Sequence, residues 1–221
     1  MTRGALDDSA FERRRLASVP RRATANDCER VGQTLSAAFA DDPVTCWMSR
    51  RDGKRDIGRR AMFEFLASNL GVSGNELWTS SDYSAAALWM PPERADLKQP
   101  LWQELKMIPA LLSFAGLRGI SRVNAFRKAA DAHHPKAKPH FYLMSIGVDP
   151  RFQGQGLGSA LLEANLNHID AKALPAYLES SSAKNVPLYR RHGFEVVSEF
   201  RARADAPPLW GMWREARGRQ T

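Results

Sequence analysis

The spacing of apolar residues along the chain alternates between a helical and a strand period. Over residues 20–43 a short strand is predicted, followed by a helix in which apolar residues recur every three or four positions behind Asn26 or Asp27. A second helix is predicted over 59–70, where the apolar residues again share one side. The stretches NELWTSS and SAAALWMPP flank a polar turn and have β-type composition, so they predict two neighbouring strands.

The second half of the chain carries denser signals. A helical insert is predicted over 97–132, broken by Pro109 and by the glycines at 116–119. The remaining predicted elements are a strand over 140–148, a helix over 158–171, a strand over 176–180, a short helix ending at Gly193, and two closing strands. This alternation predicts one α/β domain over 19–216, preceded by a flexible basic leader over 1–18.

Composition is typical of a globular protein with one sizeable core. The chain has 221 residues, of which 43% are hydrophobic and 25% charged. Its two cysteines, Cys28 and Cys46, form no CxxC motif, so we expect neither a disulfide framework nor a bound metal. The longest apolar run, IPALLSFAGL, is too short to span a bilayer, and no hydrophobic signal core precedes it. We expect a soluble cytoplasmic protein without a membrane partner.

The charge balance favours an anionic ligand. There are 32 Lys and Arg residues against 24 Asp and Glu residues, a net charge of +8. Such an excess suits nucleic acid, an acidic surface or a polyanionic cofactor. Much of it lies near the two ends of the chain, and no recognition helix or base-stacking motif accompanies it. We therefore expect no nucleic-acid partner.

One short segment, RFQGQGLGSALLEA over 151–164, indicates where an anion binds. Gly154, Gly156 and Gly158 occupy alternate positions between a predicted strand and a predicted helix. Such a loop brings free backbone N–H groups and the positive end of a helix to one place, which suits a phosphate. The spacing is neither the dinucleotide motif GxGxxG nor the P-loop ending GK[ST].

The segment IGVDPRFQGQGLGSALL resembles the acetyl-CoA motif of the GNAT acetyltransferases, [QR]-x-x-G-x-[GA]. NVPLYRRHGFE resembles the second block of that family, in the family's order and at a similar separation. With AALWMPPE and LWGMWR, the chain is similar to the subgroup of puromycin N-acetyltransferase, most strongly from residue 140 onward. The resemblance implies an α/β GNAT fold, with a mixed, mostly antiparallel sheet of six to seven strands, splayed in the middle and flanked by helices.

The resemblance also implies acetyl-CoA as cosubstrate, without a metal. The glycine loop would bind the pyrophosphate, and the backbone of the preceding strand would bind the pantetheine arm. The residues that it assigns to acetyl-CoA are Ile146, Gly147, Val148, Arg151, Gln153, Gly154, Gln155, Gly156, Leu157, Gly158, Ser159, Asn185 and Tyr189.

Three side chains are candidates at the reacting centre. Tyr189 matches the family tyrosine that protonates the leaving thiolate, with packing on the sheet as the alternative. Glu179 lies on the strand beside the splay, where it could accept a proton, bind a cationic amine or remain an exposed charge. Asn185 could contact the pantetheine arm or a water molecule, or cap the short helix.

These residues predict an N-acetyltransferase that moves an acetyl group from acetyl-CoA to a primary amine by direct attack in a ternary complex. The expected acceptor is a small molecule, such as an antibiotic or another xenobiotic. One alternative is a protein lysine or N-terminal acetyltransferase, and another is a noncatalytic acyl-CoA sensor. A monomer or a homodimer is expected.

Overall fold

Seven strands form one mixed sheet in the computed structural model of the chain. The structure describes residues 3–94 and 101–217, with the backbone alone over 3–7, at 94 and over 101–104. The strands are β1 (Arg21–Arg22), β2 (Leu77–Thr79), β3 (Ala85–Met90), β4 (Phe141–Val148), β5 (Ala176–Ser180), β6 (Glu195–Arg201) and β7 (Pro208–Arg214). Their order across the sheet is β1-β2-β3-β4-β5-β7-β6.

Helices cover both faces of the sheet. They are α1 (Arg3–Ser18), α2 (Cys28–Ala38), α3 (Pro43–Met48), α4 (Arg55–Leu66), α5 (Leu101–His133), α6 (Leu157–Asp170) and α7 (Val186–Arg191). A π-helical segment, Ala67–Val72, continues α4. One core lies between the sheet and α6, built around Leu161, Leu162 and Leu178. A second core, on the opposite face, contains Val31 and Leu35 of α2 and Phe63 of α4.

Strand direction agrees with the fold class predicted from the sequence. β4 and β5 are parallel, and every other neighbouring pair is antiparallel. The predicted mixed, mostly antiparallel sheet of six to seven strands is therefore confirmed, with seven strands. β4 and β5 can run parallel because α6 forms the crossover between them. This parallel pair lies in the middle of the sheet.

A β-bulge on β4 changes which face its side chains occupy. Leu88 of β3 pairs with Ser145, whereas Trp89 pairs with Leu143, so Met144 is an extra residue on β4. Phe141 and Leu143 before the bulge, and Ile146 and Val148 after it, all pack against the core under α6, whereas Met144 packs on the opposite face. A bulge bends a strand and increases its twist, which draws the end of β4 away from its neighbour.

Residues 3–18 form a helix, where we predicted a flexible leader over 1–18. α1 covers Arg3–Ser18, and Ala17 is fully buried in the core beneath α6. The less exposed described residues of α1, Ser9, Ala10, Arg13, Leu16 and Ala17, share one side of the helix. Most residues of this stripe are small and one is an arginine. The sequence therefore shows only a weak apolar pattern, although the helix packs on the domain. The bounds 19–216 for the domain stay a prediction.

The helical insert also differs in detail. α5 is interrupted at Gly116, whose φ of 60° and ψ of 173° are not helical. This interruption agrees with the predicted break at 116–119. The helix continues through Pro109, however, where a break was also predicted. Buried Ala110 and Phe114 hold this part of α5 against the domain, which compensates for the backbone hydrogen bond that proline cannot make. The first residues of the predicted insert, 97–100, lie outside the described residues.

The described part of the chain lacks two kinds of feature. No helix in it is long and apolar enough to cross a membrane. No group of three or more His, Cys, Asp or Glu side chains in it is placed to hold a metal ion.

Candidate active site

The pairing between the two central strands ends partway along them. β4 and β5 pair from Phe141 with Ala176 to Leu143 with Leu178, and no further. β4 continues for five residues to Val148, and β5 continues for two residues to Ser180. The two strands therefore enclose a wedge-shaped opening, in which the β5-facing edge of β4 is free to pair with an extended ligand. We call this opening the splay.

The glycine loop lies at the end of β4, beside the splay. Gly154 and Gly156 have φ angles of 78° and 81°, in the left-handed region that favours glycine. Gly156 precedes the first residue of α6, and no side chain caps the amides of that helix. The first turn of α6 contains no acidic residue. This loop therefore presents uncapped N–H groups and a positive helix end to solvent.

Polar and steric features of the loop fit acetyl-CoA. An added Cβ at Gly154 would meet no described heavy atom within 4 Å, so the space beside it is open. Oε1 of Gln155 is buried and has no hydrogen-bond partner among the described residues. Nε2 of Gln153 donates to the carbonyl oxygen of Val148 at 3.2 Å and ties the loop to β4. A phosphate-bearing ligand with a narrow extended arm suits this combination of loop and splay.

Several residues assigned to acetyl-CoA by resemblance can reach a ligand only through their backbone. The Leu157 side chain is 1% exposed and packs in the core under α6. A Cβ added at Gly147 would lie 2.6 Å from Cβ of Ala38, so the glycine is needed for close packing of α2 on β4. Ile146 and Val148 pack against the core with their side chains.

The charged residue of the motif is already paired. Nη2 of Arg151 lies 2.7 Å from Oδ2 of Asp149, and the same carboxylate accepts the Arg151 backbone N–H at 3.0 Å. Arg151 is exposed, and its guanidinium also lies 5.2 Å from the centre of the Phe152 ring. Its predicted contact with acetyl-CoA stays a prediction.

Glu179 lies at the apex of the splay, one residue beyond the last paired position of β5. The Tyr142 hydroxyl donates a hydrogen bond of 2.6 Å to Oε2 of Glu179. Oε1 is buried and has no hydrogen-bond partner among the described residues. Burial raises the pKa of Glu179 to about 7, against the opposing effects of the Tyr142 hydroxyl and, next, the Tyr177 hydroxyl. A carboxyl group with this pKa and a free oxygen can exchange a proton near neutral pH.

Tyr189 projects from α7 into the core beneath α6. Its ring is 8% exposed and meets Phe194 edge-on, with 6.1 Å between ring centres. Burial and, next, the negative charge of Asp42 raise the pKa of Tyr189 to about 12. The phenol is therefore protonated at neutral pH, as a proton donor must be.

The other two predicted polar contacts lie near the loop and α7. Oγ of Ser159, in the first turn of α6, lies 2.7 Å from Nε2 of His192. Asn185 is exposed and makes no capping hydrogen bond to α7, so the structure does not support the alternative that it is a simple cap. The contacts with acetyl-CoA that were predicted for Ser159 and Asn185 stay predictions.

Two residues beside these candidates were not identified from the sequence. Tyr142 bonds Glu179, and Asp42 accepts hydrogen bonds from the Thr45 N–H at 2.8 Å and from the Ser181 hydroxyl. Ser181 directly follows β5, so Asp42 joins the start of α3 to the end of the splay. The sequence signal available for Asp42 was its place before Pro43, which is typical of a helix N-cap.

Helix α5 closes the sheet face on which Glu179 lies. Phe126 and Ala129 of α5 pack with Val44 of α3, Phe200 of β6 and Leu209 of β7. The His133 ring stacks on Phe200 with 4.0 Å between ring centres. Nε1 of Trp47 donates to Asp205 at 3.2 Å and ties α3 to the β6–β7 connection. These contacts fill the space between α3 and the β6–β7 hairpin.

This combination of a seven-stranded sheet, a central splay and a glycine loop at a helix N-terminus is the GNAT fold. Residues 117–196 match the family model described as Acetyltransferase (GNAT) domain. The matched segment contains β4, the glycine loop, α6, β5 and α7.

Relatives and solved structures agree with this match. An uncharacterized N-acetyltransferase of Schizosaccharomyces pombe is 28% identical over 190 residues, which cover 79% of this chain and 73% of that protein. A mycothiol acetyltransferase of Propionibacterium freudenreichii is 38% identical over 74 residues, 32% of this chain and 24% of that protein. The crystal structure described as histone acetyltransferase HPA2 and related acetyltransferase from Corynebacterium glutamicum has a TM-score of 0.67 and 25% identity, covering 91% of this chain and 98% of that one.

The chain is an N-acetyltransferase with the GNAT fold, and its residues 117–196 match the GNAT family. That match implies acetyl-CoA as the cosubstrate. The match to the mycothiol acetyltransferase spans about a quarter of that protein's length, so its substrate does not transfer with the match.

Proposed function

We propose that this enzyme acetylates a primary amine of a small molecule, with Glu179 handling the amine proton and Tyr189 the leaving thiolate. The observation that carries the proposal is the position of Glu179. Its half-buried carboxylate lies at the apex of the splay, with Oε2 held by Tyr142 and Oε1 buried without a partner among the described residues. An amine that enters on this face would meet the proton acceptor beside the acetyl end of a donor bound in the splay.

Binding of acetyl-CoA is divided between two parts of the site. Bound acetyl-CoA supplies an activated acetyl thioester. The backbone of Ile146 and Val148 offers hydrogen bonds to an extended arm in the splay, and the N–H groups at Gly154 and Gly156 face the phosphates. Positioning of both reactants in one cleft lowers the entropic part of the barrier.

Glu179 removes the proton that the acceptor nitrogen loses as it becomes an amide. An alkylamine is mostly protonated at neutral pH, so the carboxylate attracts the ammonium ion, which loses one proton to water before attack; Glu179 then accepts the second proton, directly or through water, as the amide forms. Tyr142 keeps Oε2 occupied, so in this proposal the proton goes to Oε1, which has no hydrogen-bond partner among the described residues. The new C–N bond forms at the thioester carbon as the C–S bond breaks.

Tyr189 donates its phenolic proton to the departing sulfur. Its pKa of about 12 keeps the phenol protonated before transfer, and its burial keeps bulk water from the ring. The phenolate then regains a proton, and Glu179 releases the one that it accepted, so both groups return to their starting state. Asp42 disfavours the phenolate, which promotes its rapid reprotonation.

A small acceptor is favoured over a protein because the neighbouring groove is filled. A peptide acceptor needs an extended channel, but α5 packs between α3 and the β6–β7 hairpin through Phe126, Phe200 and their neighbours. The Trp47–Asp205 hydrogen bond closes the same region. In this proposal the acceptor enters beside Asp42 and Ser181, which are joined by a hydrogen bond at the end of the splay.

Protein acetylation is the second candidate. It is favoured by the similarity to a structure whose description includes histone acetyltransferase. The resemblance to puromycin N-acetyltransferase has no specific support from the comparisons, and it stays a prediction from the sequence. Puromycin therefore belongs among the acceptors to be tested.

The test is an acetyl-CoA-dependent acceptor screen with free-thiol release as readout and mass spectrometry of the product. The panel contains aliphatic diamines, aromatic amines, amino sugars, puromycin, peptides with a free N-terminus and lysine peptides. We expect turnover of at least one small amine, and at least a tenfold loss with Glu179→Gln. Turnover confined to the peptides would contradict the small-molecule proposal and favour the alternative.

A further inference from the structure

An arginine of α1 lies against the glycine loop. A Cβ added at Gly156 would lie 3.4 Å from Nε, 3.6 Å from Cδ and 3.7 Å from Cζ of Arg14. The guanidinium therefore covers the residue that precedes the first turn of α6. Arg14 lies outside the segment matched by the family model, which begins at residue 117.

Packing of α1 fixes this position. Ala17, one turn after Arg14, is fully buried in the core with Leu157 and Leu161 of α6. Arg13, which directly precedes Arg14, places its guanidinium 4.1 Å from the centre of the Phe152 ring. Nη1 of Arg13 also donates to Oγ of Ser9 at 3.1 Å. The helix is thus attached to α6 and to the beginning of the loop, with Arg14 between the two.

Arg14 also differs from its neighbours in its charge environment. Arg15 is paired with Glu12 at 2.6 Å, and Arg151 is paired with Asp149 at 2.7 Å. Among the side chains that the structure describes, Arg14 forms no ion pair with a carboxylate. It is exposed, so its guanidinium can move by a few ångströms toward a ligand on the loop.

We propose that Arg14 binds the pyrophosphate of acetyl-CoA, as a contact that α1 adds to the glycine loop. This assignment rests on the proposed function, because it concerns the same acetyl-CoA site. The loop supplies N–H donors but no unpaired cation of its own. An arginine beside it adds a charge-assisted, potentially bidentate hydrogen bond to a phosphate oxygen. α1 thereby becomes part of the acetyl-CoA site.

Calorimetric titration of the full chain with CoA tests the assignment without need of an acceptor amine. We expect Arg14→Ala to weaken CoA binding about three- to tenfold, the range for one partly exposed contact with a phosphate. Arg15→Ala is the matched control, because it removes the same charge from the same helix at a residue paired with Glu12. We expect it to change the affinity by less than about twofold. Arg14→Lys should recover part of the loss.

Truncated ligands identify which part of CoA Arg14 contacts. Dephospho-CoA keeps the pyrophosphate but lacks the 3′-phosphate, whereas pantetheine lacks both. Arg14→Ala should weaken CoA and dephospho-CoA by the same factor and leave pantetheine binding unchanged. An effect on CoA that disappears with dephospho-CoA would mean that Arg14 contacts the 3′-phosphate, which would overturn the pyrophosphate assignment.

The control separates this proposal from the proposed function. Equal weakening by Arg14→Ala and Arg15→Ala would show a general effect of positive charge and contradict the Arg14 assignment alone. Failure of the unaltered protein to bind CoA would contradict the acetyl-CoA site itself and the Arg14 assignment with it. Circular dichroism of both variants should match the unaltered protein, because alanine favours the helix.

Discussion

The Tyr142 hydroxyl donates a 2.6 Å hydrogen bond to Glu179 across the two central strands, at the point where their pairing ends. The bond therefore marks the apex of the splay and fixes one oxygen of the carboxylate. The other oxygen is buried and has no partner among the described residues, so it is available to a substrate. The first three predictions follow from this pair.

The pH dependence of turnover should report Glu179. With its pKa raised to about 7, the carboxylate that accepts a proton forms as the pH rises through that value. We expect kcat/KM for the acceptor, at saturating acetyl-CoA, to rise with pH and to level off above it. Glu179→Gln should lower turnover by about 10²-fold, at the low end for a positioned base, and remove this pH-dependent rise. Glu199→Gln, an exposed change on the outer strand β6, is the control.

The same ionisation should appear in stability. The pKa of Glu179 is higher in the folded protein than its ordinary value of 4.5, so the folded state binds the proton more tightly. The buried charge therefore destabilises the unaltered protein as the pH rises from about 5 to about 8. We expect the Tm difference, Glu179→Gln minus unaltered, to become more positive over this range. A difference that is constant with pH would show that the group titrates alike in both states.

Tyr142→Phe should move the pH profile without removing it. The hydrogen bond from Tyr142 stabilises the carboxylate and lowers its pKa, so loss of the hydroxyl should raise that pKa further. The rise in kcat/KM should shift to higher pH, with a smaller loss at the plateau than Glu179→Gln causes. This combination distinguishes a positioning role from a packing role. A lower rate with an unmoved pH midpoint would indicate packing alone.

The sequence predicted those parts of the site that depend on local chain geometry. Gly154 and Gly156 are predictable because positive φ angles between a strand and a helix favour glycine, whatever lies elsewhere in the chain. The sheet followed from strand patterns and from the family resemblance. The bounds of α6, Leu157–Asp170, differ from the predicted 158–171 by one residue at each end.

Contacts between distant segments could not be predicted in this way. The Tyr142–Glu179 hydrogen bond joins residues 37 apart and depends on the register of a parallel pair beside the bulge at Met144. A one-residue change of register would place either side chain on the opposite face. Arg14 was assigned to a flexible leader because the less exposed side of α1 consists mainly of small residues and an arginine, with a single leucine. Its approach to Gly156 is a tertiary contact without a local pattern.

The two left-handed glycines should respond differently to alanine. A side chain in this conformation costs about 1–2 kcal/mol, so Gly154→Ala and Gly156→Ala should both lower the free energy of unfolding. At Gly154 the added methyl group meets no described atom within 4 Å, whereas at Gly156 it meets Arg14. Gly156→Ala should therefore lose more CoA affinity for a similar loss of stability. Gly53→Ala, with open space and no positive φ, is the control in denaturant unfolding and calorimetry.

Tyr189→Phe should separate chemistry from binding. The substitution keeps the ring that packs against Phe194 and deletes the proton donor. A positioned acid contributes about 10²–10⁴-fold, and water can replace part of it, so we expect a loss near about 10²-fold at saturating acetyl-CoA. The affinity for CoA should change by less than about twofold, because the proposed site holds the phosphates at the glycine loop.

The leaving group provides the sharper test of Tyr189. An acetyl thioester whose thiol is more acidic than that of CoA needs less assistance from a proton donor as the C–S bond breaks. The rate ratio between unaltered protein and Tyr189→Phe should therefore shrink with such a donor and be largest with acetyl-CoA. Phe194→Leu, which alters the same ring contact but leaves the phenol in place, should give equal ratios with both donors. If Tyr189→Phe also gives equal ratios, the phenol does not act on the leaving group, and its contribution is packing.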